Sequence, residues 1–104
     1  MANNVKTTFG TVPGNSTPWG YVQMTGLSAA APLTSVPEQA NYAILIAETQ
    51  SIRWRDDTTA PTATVGMLLP VNTPLTYAGD LTALQVIETT TGAVLNVSYY
   101  RSGT

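Results

Sequence analysis

The sequence predicts an all-β fold, a small antiparallel β-sandwich or barrel entered through an extended Pro/Gly-rich N-terminal arm. Three observations carry that prediction. Eight Gly and seven Pro punctuate 104 residues, leaving apolar runs too short for helices but long enough for strands. Those runs recur at the close spacing of a sandwich or barrel. The last of them alternates without a break, with Ala93, Leu95, Val97 and Tyr99 on one face and Val94, Asn96, Ser98 and Tyr100 on the other.

In chain order, residues 1–36 form the expected arm. Pro13, Pro18, Pro32, Gly10, Gly14, Gly20 and Gly26 forbid a regular helix there. Yet Phe9, Trp19, Tyr21, Val22, Met24, Leu27, Leu33 and Val36 punctuate the same stretch, and a linker has no use for them. Ordering each backbone costs about 1–2 kcal/mol, whereas each buried large apolar side chain returns about 1.5–3 kcal/mol. With so few apolar residues the arm cannot hold itself, so it needs strand pairing with the following domain or a neighbouring subunit. Its removal before about Ser35 is expected to leave the remaining domain folded.

Residues 37–104 form the expected β domain. Ser35 is a candidate cap for a single helical turn over 35–40, with Pro37 in its first turn. Residues 42–47 (YAILIA) are apolar at both parities, as in a strand covered on both faces. Residues 52–55 alternate, Ile52 and Trp54 inward, Arg53 and Arg55 outward, and the short break before them suits a hairpin. Residues 56–61 (DDTTAP) read as a turn. Strands follow at 64–69, closed by Pro70, then at 75–77 and 84–88. Thr91-Gly92 suits a second hairpin turn, Gly92 taking positive φ. There are no internal repeats.

Charge and composition narrow the function. Charged residues make up 10% of the chain and the net charge is −2, against roughly 25% charged in ordinary soluble domains. So sparse a surface suits a protein that hides much of its outside in an assembly. The four cations are Lys6, Arg53, Arg55 and Arg101, too few and too scattered to neutralise a run of phosphates, so no nucleic-acid partner is expected. No apolar stretch approaches a membrane span or a signal peptide, so no membrane partner and a cytoplasmic origin are expected. The chain has no Cys and no His, which removes disulfides, thiolate chemistry and the commonest general base and metal ligand.

Each candidate site in the sequence has a plainer structural role. Arg53-Trp54-Arg55 could cradle an anion, but a core Trp54 between outward, interface-facing arginines explains the pattern more simply. Asp56, Asp57 and Asp80 match no calcium loop. Glu48, Asp56, Asp57 and Glu88 show no spacing for a carboxylate pair. Trp19 and Tyr21 could stack on sugars or bases, though anchoring the arm accounts for them. The expectation is therefore a non-enzyme with no cofactor and no metal. Its protein-interface residues are Phe9, Trp19, Tyr21, Arg53, Arg55 and Tyr100.

Residues 39–48 (QANYAILIAE), 52–57 (IRWRDD), 60–66 (APTATVG) and 93–100 (AVLNVSYY) together resemble a group of small virion structural proteins of tailed bacteriophages, most specifically from Arg53 to Gly66. The arm lies outside that resemblance. The resemblance implies a compact β domain on the virion, assembled in the host cytoplasm. The implied role is capsid decoration or cementing by a symmetric homo-oligomer, a trimer among the candidates, bound to a major capsid protein. Head–tail or tail accessory roles, or a carbohydrate-binding domain for host-surface recognition, are the alternatives. No active site comes with it.

Overall fold

The structure, a computed structural model, describes residues 16–102. Eight strands run in the order β1 (Thr17–Met24), β2 (Ala31–Pro32), β3 (Tyr42–Glu48), β4 (Ile52–Arg55), β5 (Met67–Leu69), β6 (Leu75–Tyr77), β7 (Gln85–Glu88) and β8 (Val94–Arg101). They build two four-stranded sheets, β1-β8-β3-β6 and β2-β7-β4-β5, with every neighbouring pair antiparallel. The first strand pairs with the last, the second with the seventh, the third with the sixth and the fourth with the fifth. An antiparallel ribbon of eight strands folded over on itself in this way is the jelly-roll wrapping. Of the two all-β forms expected, sandwich or barrel, the structure is the sandwich.

Alternation builds the core. Ala43, Leu45 and Ala47 from β3 meet Leu95, Val97 and Tyr99 from β8, and Ile52, Leu69 and Val86 face them from the second sheet. Leu45, Ile52, Val86, Leu95, Val97 and Tyr99 are fully buried. Trp54 packs against this cluster from its margin, edge-on to the Tyr77 ring at 5.7 Å. β3 is apolar at both parities because it is central: Tyr42 and Ile44, on the face away from the core, are buried as well.

Residues 17–36, expected as arm, are woven into both sheets. β1 pairs along its length with β8, and β2 pairs with β7. Met24, Leu27 and Leu33 belong to the core, 5%, 2% and 6% exposed. The expected boundary at residue 36 thus falls inside the sandwich, and the ordering cost of residues 17–36 is met by the chain's own β7 and β8. Residues 1–15, the leading part of that arm, lie outside the described residues.

Three local expectations are corrected. The break at 49–51 is a corner between sheets instead of a hairpin, because β3 already spends both edges on β6 and β8. β4 is diverted to the opposite sheet, with Thr49 taking φ of 73°. Residues 89–93 cross between sheets for the same reason, since β7 is flanked by β2 and β4. Gly92 does take positive φ, 104°, and its N–H donates to Glu88 Oε1 at 3.2 Å. That bond gives a partner to the one charged side chain buried among the described residues. The helical turn at 35–40 is a β-turn closed by Ala40 N–H to the Pro37 carbonyl at 3.2 Å. Ser35 cannot cap it as expected, because its φ is +55° and a cap residue sits in the extended region.

Candidate interaction surface

The first sheet carries three of the predicted interface residues, Tyr21 and Tyr100 on its outward face and Trp19 at a bulge in β1. Pro18 on β1 pairs with Tyr100 on β8, which pairs with Tyr42 on β3. The Tyr100 ring stacks on Tyr42 at 5.1 Å and 10° between planes. Beneath it, the Tyr42 hydroxyl donates to Ser16 Oγ, and burial raises the Tyr42 phenol above its ordinary value, partly offset by that bond. Tyr21 lies opposite Ser98 and is 62% exposed. Its hydroxyl donates to Asn96 Oδ1 at 2.5 Å, and Asn96 in turn donates to Glu48.

Trp19 occupies a bulge, since Pro18 faces Tyr100 while Gly20 already faces Tyr99. The extra residue turns the indole toward the 36–40 turn, where Nε1 donates to the Glu38 carbonyl at 2.8 Å. The Arg101 guanidinium stands 5.8 Å from the ring centre, within cation–π range. Trp19 stays 39% exposed. Both rings are thus held by hydrogen bonds while keeping open faces, which lowers the entropy cost of any contact they make.

The second sheet carries Arg53 and Arg55, away from that surface. Both arginines bond within their own chain. Arg53 Nε donates to the Ala63 carbonyl at 3.1 Å and its Nη1 to the Gly66 carbonyl at 3.0 Å. It therefore clamps the loop between β4 and β5. Gly66 is required there: its φ is +142°, and a Cβ would press on Arg53, Pro61 and the Trp54 carbonyl, each at 3.2 Å. Arg55 forks onto Asp57, Nε to Oδ1 at 3.0 Å and Nη2 to Oδ2 at 2.6 Å, which holds the Asp57 carboxyl below its usual range.

Sequence reasoning missed Val65, Met67 and Leu68, which are 53%, 59% and 50% exposed on and beside β5. Val65, Gly66 and Met67 form the apolar wall of a cleft of about 240 Å³ whose other wall is Arg55, Asp56 and Asp57. The available signal was the absence of any charged residue from 58 to 79. Phe9, the remaining predicted interface residue, lies outside the described residues.

The candidate carboxylates Glu48, Asp56, Asp57, Asp80 and Glu88 each have a local partner. Asp56 accepts the Tyr77 hydroxyl at 2.6 Å, and Asp80 accepts Thr82 N–H and hydroxyl at 3.0 and 2.6 Å. Among the described residues no three His, Cys, Asp or Glu gather as metal ligands. Comparisons with protein families, with curated proteins and with solved structures found no match to this chain.

Proposed function

We propose that this chain is a non-enzymatic virion structural protein of a tailed bacteriophage, a capsid decoration or cement protein that self-associates and binds the particle surface. The observation that supports it most is the set of exposed large apolar side chains on a chain so poor in charge. Trp19, Tyr21, Val65, Met67 and Leu68 are all 39% or more exposed, and aromatic residues and Met are enriched where proteins meet proteins. Because residues 17–36 are ordered within the chain, the need for neighbours rests on these surfaces rather than on the arm. The jelly-roll wrapping occurs in viral capsid domains and in lectins, and the choice between those classes belongs to the site.

The test is co-sedimentation of the full chain with heads and, separately, tails of the phage that encodes it. Saturable binding to heads is the expected result, weakened about tenfold or more by Tyr21→Ala or Trp19→Ala if these rings anchor the contact. Binding to tails alone would move the protein to an accessory role, and binding to neither would overturn the proposal. A second function, recognition of host-surface carbohydrate, is favoured by one specific feature, the fixed and open indole of Trp19 beside Arg101. Titration of tryptophan fluorescence with host polysaccharide separates it from the first.

A further inference from the structure

The four strands at the sheet edges are not equally protected. An edge strand offers unpaired N–H and C=O groups to any other chain, and proteins blunt such edges with Pro, bulges, charge, cover or shortness. β1 carries Pro18 and a bulge. β2 is two residues long and ends in Pro32. β6 follows Pro74 directly, and its three residues are half-buried or buried. β5 has no Pro, no charge and an unbroken register with β4, Ile52 opposite Leu69, Arg53 opposite Leu68 and Trp54 opposite Met67. Among the described residues its safeguards are its length of three residues and Pro70 directly after it. Met67 and Leu68 point to opposite faces, and both are half or more exposed, so the strand is open on either side.

We infer that β5 is a self-association edge, at which a second copy of this chain adds its own β5 antiparallel across a two-fold axis. The second copy is the occupant that the charge pattern selects. A segment paired with itself brings like residues together, and any charge within it would repel its twin; residues 58–79 contain none. The nearest charges are already committed, Arg53 to the loop carbonyls and Arg55 to Asp57. Centred on Leu68, the pairing sets Met67 against the partner's Leu69. The two four-stranded sheets that contain β5 become one continuous sheet. Three residues a side fall well below the roughly 1,200 Å² of a stable interface, so the contact is weak in solution and gains strength only when many copies are held together, as on a particle. Its role in assembly rests on the function proposed above.

Sedimentation velocity of the full chain over a wide concentration range tests it. The weight-average mass should rise from the monomer's 11.0 kDa toward twice that value, and β5 amides should exchange hydrogen more slowly as concentration rises. Leu68→Lys and Met67→Lys change side chains outside the core, so their melting temperatures should match the parent while association disappears. A parent that stays monomeric at every concentration overturns the inference, as does association that both lysine variants retain or that Tyr21→Ala abolishes instead. A monomer that still co-sediments with phage heads would sink this inference, and the self-association with it, but leave the proposed binding to the particle surface standing.

Discussion

Tyr99 is fully buried, and its hydroxyl reaches out to donate to the Thr34 carbonyl at 2.6 Å. It ties β8 to the segment that follows β2. Burial pushes its phenol up to about 12, and burial together with the Asp56 bond pushes Tyr77 to about 12 as well. An unfolded tyrosine titrates near 10, so between about pH 10 and 12 the unfolded chain sheds protons that the native state keeps. Stability from both groups is complete below about pH 10 and is lost as the pH climbs through 12. The melting temperature should fall across that window. Tyr99→Phe should cost about 1 kcal/mol at neutral pH, the worth of one hydrogen bond, and should flatten the alkaline decline; circular dichroism melts at stepped pH read both. The parity of Tyr99 was legible in the alternation of residues 93–100, but its hydrogen-bond partner, 65 residues earlier in the chain, was not, because no local pattern encodes it.

At the scale of elements, β4 and the loop behind it depend on one another. Arg53 was expected outward and facing a partner; it is outward, and its partners are two carbonyls of its own chain. Arg53→Met keeps the aliphatic stem and removes both bonds, each charge-assisted and together worth about 1–3 kcal/mol at a partly exposed site. The expected outcome is a modest drop in melting temperature with faster proteolysis between residues 58 and 66. Unchanged proteolysis would mean that the loop is held by its Thr62–Val65 backbone turn instead. Strand positions were readable from alternation to within a few residues: 42–47 for β3, 75–77 for β6, 84–88 for β7. Both expected hairpins failed because a short gap is equally compatible with a turn within a sheet and a corner between sheets. Only the neighbours of β3 and β7 decide between them.

For the molecule as a whole, the first and last strands close the wrapping, so residues 17–36 are structural. Deletion of residues 1–35 removes β1, β2 and the core side chains Met24, Leu27 and Leu33. Losing a single such side chain costs about 2–5 kcal/mol, and a domain this size holds only about 5–15 kcal/mol in reserve. The truncated chain should therefore be unfolded by circular dichroism and proton NMR, in contrast to the independent domain that composition suggested. Of the interface residues, Trp19, Tyr21 and Tyr100 fall along β1 and β8 of one sheet, while the two arginines belong to the other. The exposed apolar strip at β5 was hidden because Met67 and Leu68 look like core residues in any one-dimensional pattern.

Composition and period-two alternation were enough to establish an all-β chain, the core face of β8, the double burial of β3 and the inward side of β4. These are local properties, set by which side chains prefer to leave water and by the geometry of an extended backbone. Which strand lies beside which, that residues 17–36 belong to the sandwich, and which edge remains open were decided by the tertiary structure. Each of those depends on contacts between residues distant in sequence, where the loss of apolar surface to water is shared by partners that no single segment can specify.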